Sequence, residues 1–205
     1  MRNETFYNIK KSYFLTIGVK GCEELEPEKK KALNGFLAAI EKRAFTMAHF
    51  AVGDTEEALD MVQDAMLKFV RLYSDRPKEE WKTLFYRILQ TRVSDWYRRS
   101  TVRKRLQQWF DFTKEDKKEN LPGDFIKSAG SSPADLVENK EFNTALEKAL
   151  SRLPARQQQA FFLRAWEDMG IKEVALAMKC SEGSVKTHFS RAVHTLRSVL
   201  EDFVP

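Results

Sequence analysis

Three groups of side chains in this 205-residue sequence have the types and spacing to do chemistry. The first is Ser184, Lys186, Thr187, Ser190 and Arg191, short polar and cationic residues on one face of a C-terminal helical pattern. Side chains of this kind meet base edges and phosphates when the first turns of a helix enter a major groove. The second is a run of cations around two aromatics. Arg87, Arg92, Arg98, Arg99, Arg103, Lys104 and Arg105 punctuate Trp96 and Tyr97, with Asp95 the lone acid. Guanidinium groups hold phosphates, and exposed rings stack on unpaired bases. The third has the opposite sign: Glu56, Glu57, Asp60 and Asp64, with an exposed Gln63. A helix dipole favours acids in the first turn. Asp60 and Asp64, one turn apart, also form a compact patch able to dock a basic protein surface. Each group has a plainer reading as a solvated helix face, and the residues alone leave both readings open.

No catalytic constellation accompanies these groups. The chain holds no GxSxG, P-loop, GxGxxG or DFG-like run. Cys22 and Cys180 are far apart, and His49, His188 and His194 are scattered, so neither a disulfide framework nor a zinc site is expected. The expectation is a protein that is not an enzyme and uses no cofactor. Composition agrees with a binding protein: 42% of residues are hydrophobic and 32% charged, and the net charge of +5 favours a polyanionic partner. No apolar run reaches the roughly 18–20 residues that cross a bilayer, and the stretch Tyr13 to Val19 lacks the marks of a secretory signal. No membrane insertion and a cytoplasmic location are expected.

The elements that must position these residues are helical. Only 8 Gly and 6 Pro punctuate the chain, and long segments repeat at helical rather than alternating spacing. The apolar stripe Leu33, Phe36, Leu37, Ile40, Ala44, Met47 and Ala48 ends near Gly53-Asp54. A second helix carries Leu59, Val62, Met66, Phe69 and Val70 on its core face. After a loop from Leu72 to Lys78, a third runs from about Glu79 to Arg105 with Trp81, Leu84, Phe85, Ile88, Leu89, Val93 and Trp96. The stretch 111–133, with two prolines and two glycines, reads as a linker. Beyond it, helices are expected over 134–151, 155–167, 171–178 and 182–203. Ile171, Val174, Ala175 and Met178 point inward on the third of these. Lys179-Cys180-Ser181 makes a tight turn, Ser181 caps the last helix, and Val185, Phe189, Ala192, Leu196, Val199 and Leu200 form its inner face. That is the layout of a helix-turn-helix.

Residues 53–68 (GDTEEALDMVQDAMLK) resemble conserved region 2.2 of bacterial RNA polymerase sigma factors, in particular the extracytoplasmic-function (ECF) group of the sigma-70 family. Residues 81–99 (WKTLFYRILQTRVSDWYRR) resemble its regions 2.3 and 2.4. LPAR at 153–156, with 174–197, is similar to region 4. The resemblance implies an all-α fold of two small helical domains joined by a flexible linker. Residues 1–26 would be an N-terminal extension, 27–107 the three- or four-helix region 2, 108–137 the linker and 138–205 the region 4 helix-turn-helix. It also gives the three groups one purpose. Asp60, Gln63 and Asp64 would dock on the clamp helices of the largest subunit of core RNA polymerase, whose flap is a further implied contact. The loop Tyr73, Ser74, Asp75, Arg76, Pro77 and Lys78 would capture a flipped base of the minus-ten element. Arg87, Thr91, Arg92, Asp95, Trp96, Arg98 and Arg99 would contact the opening strand. Ser184, Lys186, Thr187, Ser190 and Arg191 would read the minus-35 element. Promoter DNA, core polymerase and an anti-sigma factor are the implied partners. The family usually has Asn where this chain has Thr91, and Trp96 and Tyr97 replace a smaller pair.

A LuxR-like helix-turn-helix regulator, acting without polymerase, is the alternative that residues 182–188 (EGSVKTH) also suit. It would bind duplex operator tightly by itself. A sigma factor would not, because each half offers few phosphate contacts until polymerase fixes both at one separation.

Overall fold

The computed structural model describes residues 26–110 and 133–201, and their side chains at 26–100 and 141–201. The strand-like alternation of Tyr13 to Val19, Cys22, residues 111–132 of the linker and Phe203 lie outside the described residues, as do the side chains of Arg103, Lys104 and Arg105. Helix α1 spans Pro27–Val52, α2 Thr55–Tyr73, α3 Lys78–Phe110, α4 Pro133–Arg152 and α5 Ala155–Phe161. A π-helical turn, Phe162–Trp166, follows α5, and α6 (Ile171–Met178) and α7 (Glu182–Leu200) complete the order. Among the described residues there is no strand, so the fold is all-α as expected.

Local chemistry sets these boundaries. Pro27 opens α1, where its missing N–H costs nothing. Gly53 ends it at φ 76°, a left-handed conformation that glycine adopts without a Cβ penalty, and its N–H reaches His49 O at 2.8 Å. The Asp54 carboxylate then accepts from Glu57 N–H at 2.8 Å and starts α2. The turn into α3 is held by the Trp81 indole N–H, which donates to Arg76 O at 2.8 Å. Ser181 caps α7 by accepting from Ser184 N–H at 3.1 Å, as its position predicts.

Helices α1, α2 and α3 pack on one another around a ring cluster. Phe36 lies 5.6 Å from Phe69 and 5.5 Å from Trp81 between ring centroids, and Phe69 meets Phe85 edge-on at 6.1 Å. Tilted and edge-to-face rings at this spacing add to the gain from burial alone. Helices α4 to α7 form a second group, in which α7 rests on α4, α5 and α6. Phe161 stacks on Phe189 at 6.4 Å, and the Arg156 guanidinium donates to Met178 O at 2.9 Å, closing the end of α6. Two details depart from the periodicity. The expected continuous helix over 155–167 changes to π-helical hydrogen bonding after Phe161, with Glu167 N–H on Phe162 O at 2.9 Å. Val199, expected on the inner face of α7, is 46% exposed, because it falls at the edge of the stripe centred on Ala192 and Leu196.

The two groups touch. Helix α6 lies along α3, and α4 and α5 reach α1. Phe50 meets Phe162 at 5.3 Å, and the buried Gln158 amide donates to Leu150 O at 2.9 Å and Phe50 O at 3.3 Å. Tyr86, on α3, is fully buried at this junction. Its hydroxyl is pushed well above the ordinary tyrosine range, first by burial and then by the neighbouring Glu167 carboxylate. The unfolded chain ionises this phenol near pH 10 while the folded one keeps its proton. Stability is therefore unaffected below that pH and falls above it by about 1.4 kcal/mol per pH unit. Urea melts of wild type and Tyr86→Phe between pH 9 and 11 check this: the variant should lose one such increment of slope.

Candidate nucleic-acid interface

The exposed polar face of α7 has the simplest geometry. Val185, Ala192 and Leu196 anchor the helix in the core, which leaves Lys186, Thr187, Ser190 and Arg191 exposed on the other side. Ser184 is different. Its hydroxyl lies 2.9 Å from Ser181 Oγ and its N–H is the capped one, so it serves the start of the helix as well as the face. The Thr187 hydroxyl turns back and donates to Gly183 O at 3.0 Å. Helix α6 precedes this face, and Lys179, at φ 53°, makes the left-handed turn between them. Burial pushes the Cys180 thiol in that turn upward, with Arg156 opposing it.

On α3 the cationic run is exposed at Arg87, Arg98 and Arg99, while Thr91, Arg92, Asp95, Trp96 and Tyr97 are half-buried. Trp96 and Tyr97 meet edge-on at 5.4 Å, and burial raises the Tyr97 phenol. Several residues of this set already have partners in the chain. Asp95 pairs with Arg98 at 2.8 Å, and the Thr91 hydroxyl donates to Arg87 O at 2.8 Å. Exposed pairs of this kind contribute at most about 1 kcal/mol, so phosphates can displace them.

In the turn between α2 and α3, Asp75, Arg76, Pro77 and Lys78 are exposed, Tyr73 is half-buried against Phe69, and Ser74 is buried. Arg76 pairs with Glu80 at 3.0 Å and Asp75 with Lys29 at 3.4 Å. The acidic patch of α2 has Asp60 and Asp64 exposed, but Gln63, expected to be exposed, is half-buried beside the core face. Asp64 is 3.2 Å from Arg92, so two residues assigned to different tasks neutralise each other here. Among the described residues, no group of three or more His, Cys, Asp and Glu side chains could hold a metal ion, and no helix is long and apolar enough to cross a membrane.

The region 4 model of the sigma-70 family matches residues 143–196, which include α5 to α6 and most of α7. The RNA polymerase sigma-E factor of Streptomyces avermitilis is 30% identical over 166 residues, covering 76% of this chain and 89% of that protein. The chain belongs to the RNA polymerase sigma factors. The ECF RNA polymerase sigma factor SigX of Bacillus subtilis is 25% identical over 154 residues, 74% of this chain and 75% of its own, which agrees with the ECF group. Among solved structures, the sigma factor RpoE of Bartonella quintana, in complex with the anti-sigma factor NepR, has the same fold. It superposes with a TM-score of 0.60 at 24% identity, over 86% of this chain and 98% of that one.

The junction between the two helical groups of this sigma factor is not evident from its sequence. Glu167, 1% exposed, lies there with its carboxylate 3.3 Å from Lys82 Nζ and 3.8 Å from Arg43. Thr83 donates to Glu173 at 3.5 Å nearby. The one available signal was the helical phase of α3: Lys82 and Tyr86 are four residues apart on a face that its own three-helix core does not need.

Proposed function

We propose that this sigma factor binds core RNA polymerase, carries it to promoters and helps open the minus-ten DNA, without catalysis of its own and in the cytoplasm. The observation that carries this reading is the exposed face of Lys186, Thr187, Ser190 and Arg191 on α7, set behind a capped turn. That face reads the minus-35 element. Arg87, Thr91, Arg92, Asp95, Trp96, Arg98 and Arg99 on α3 hold the opening strand. The turn Tyr73 to Lys78 takes a flipped base, and the capture of unstacked bases offsets the few kcal/mol that opening each step costs. Asp60, Gln63 and Asp64 meet a basic face of the polymerase clamp. Family membership and the likeness to a sigma factor solved with an anti-sigma factor support two protein partners, core polymerase and an anti-sigma factor. The domain limits follow the same reading: 27–107 as region 2, 138–205 as region 4, and 108–137 as the linker between them.

Gel filtration of the purified chain with core polymerase tests the assignment, with promoter-fragment binding measured with and without core. Co-elution, and sequence-specific binding only with core, is the expected result. Tight operator binding by the chain alone, with no co-elution, would transfer the assignment to the LuxR-like regulator. In the holoenzyme, Lys186→Ala should weaken binding to all promoters by a similar factor and lower the slope of log affinity against log salt by about 1. Arg191→Ala should instead change which minus-35 sequence is preferred.

A further inference from the structure

We propose that the sigma factor holds itself closed through a carboxylate clasp, in which Glu167 of the region 4 side is gripped by Lys82 and Arg43 of the region 2 side. The inference rests on the sigma-factor reading for its consequence, but the clasp itself is a matter of geometry. The Glu167 side chain is 1% exposed, a position in which a carboxylate is costly unless paired and hydrogen-bonded. Its Oε2 lies 3.3 Å from Lys82 Nζ on α3 and 3.8 Å from Arg43 on α1. Lys82 also donates to the Glu167 carbonyl oxygen, so one ammonium grips both the side chain and the main chain of the same residue.

The backbone is shaped to present this residue. The π-helical turn Phe162–Trp166 ends immediately before it, and Asp168, immediately after, has φ 49° without being glycine. Both are uncommon local conformations that packing must maintain. The surroundings add Thr83 on Glu173 and the Gln158 amide on Phe50 O, polar contacts set beside the Phe50–Phe162 ring pair in a hydrophobic core that is continuous across the junction. The two gripping cations are also within reach of solvent, with 37% of the Lys82 and 53% of the Arg43 side chain exposed. A phosphate backbone or an acidic protein surface can compete for them.

Closure matters because of distance. Elements named minus-ten and minus-35 lie about 25 base pairs apart, or about 85 Å at 3.4 Å per base pair. In the clasped form α6 lies against α3, and Arg87 shares a shallow cleft with Lys172, Leu176, Lys179 and Glu182. The two reading surfaces are then far closer than the promoter requires, and the chain can engage one element but not both.

The test uses the full chain with Glu167→Gln, which keeps the shape and removes the charge, and Lys82→Gln, which acts from the solvent-accessible side. Small-angle scattering and core-polymerase affinity are measured for each, with helix content checked by circular dichroism. Both variants should retain wild-type helicity, show a larger radius of gyration than wild type, and bind core about tenfold more tightly, because less of the chain is held in the incompetent form. Scattering profiles that stay superimposable on wild type in both variants would overturn the clasp. So would a chain already expanded without substitution. Failure of all three proteins to bind polymerase, with expansion in the variants, would keep the clasp and remove the sigma-factor reading instead.

Discussion

Replacing Asp60 and Asp64 together by arginine should weaken association with core polymerase at least about 100-fold, equivalent to about 2.7 kcal/mol. Both carboxylates are exposed on α2, one turn apart, while Ala58, Met61, Val62 and Ala65 of the same helix face the core. The substitution therefore inverts a surface without touching the packing beneath it. A basic docking face that meets two arginines in place of two aspartates loses attraction and gains like-charge repulsion, which costs several kcal/mol when the groups are partly desolvated. The one internal consequence is loss of the Asp64–Arg92 pair, 3.2 Å long and partly exposed, worth about 1 kcal/mol of stability. Thermal melts should show a small shift, and fluorescence anisotropy with labelled core a large one. Unchanged core affinity in the double variant would return the patch to an ordinary solvated helix face.

The largest effect on stability is expected at Phe69. Its side chain is fully buried and meets Phe36, Tyr73, Trp81 and Phe85 at centroid distances between 5.6 and 6.4 Å. Phe69→Ala should cost about 3–5 kcal/mol, because four fixed rings around the vacancy cannot collapse into it. That is a large share of the 5–15 kcal/mol that stabilises an ordinary domain. Leu72, three residues on, is the control: it is 57% exposed, and Leu72→Ala should change stability by less than about 0.5 kcal/mol. Urea unfolding followed by tryptophan fluorescence separates the two, since Trp81 lies in the same cluster. Equal midpoints for both variants would mean that the ring cluster does not hold these helices together.

Much of this architecture was legible in the residues because local signals coincide there. Gly53 and Asp54 end one helix and begin the next by backbone and side-chain chemistry that acts within a few residues. Ser181 and the polar positions of α7 were readable for the same reason: a cap, a turn and one helical stripe fix the face that remains outside. Val199 was misplaced because a residue at the margin of a stripe is buried or exposed according to what lies opposite, which a periodicity does not contain. The π-helical turn after Phe161 was invisible for a related reason, since its sequence is good helix sequence and the change in hydrogen bonding serves the placement of Glu167. The clasp joins residues from three elements. Arg43 on α1, Lys82 on α3 and Glu167 after the π-helical turn are each ordinary charges in their own local context, and only the packing of the two helical groups brings them together. Likewise, the Asp64–Arg92 pair links two groups that the sequence presents as separate tasks.

The most direct test of the central claim is transcription in vitro from a library of bacterial promoter fragments, with core polymerase supplied alone or with this chain. Permanganate probing for unpaired thymines is carried out on the same templates. The sigma-factor account predicts discrete transcripts and a permanganate-reactive minus-ten region only when chain and core are both present, without ATP hydrolysis for opening. Transcript patterns and reactivity identical with and without the chain would contradict it.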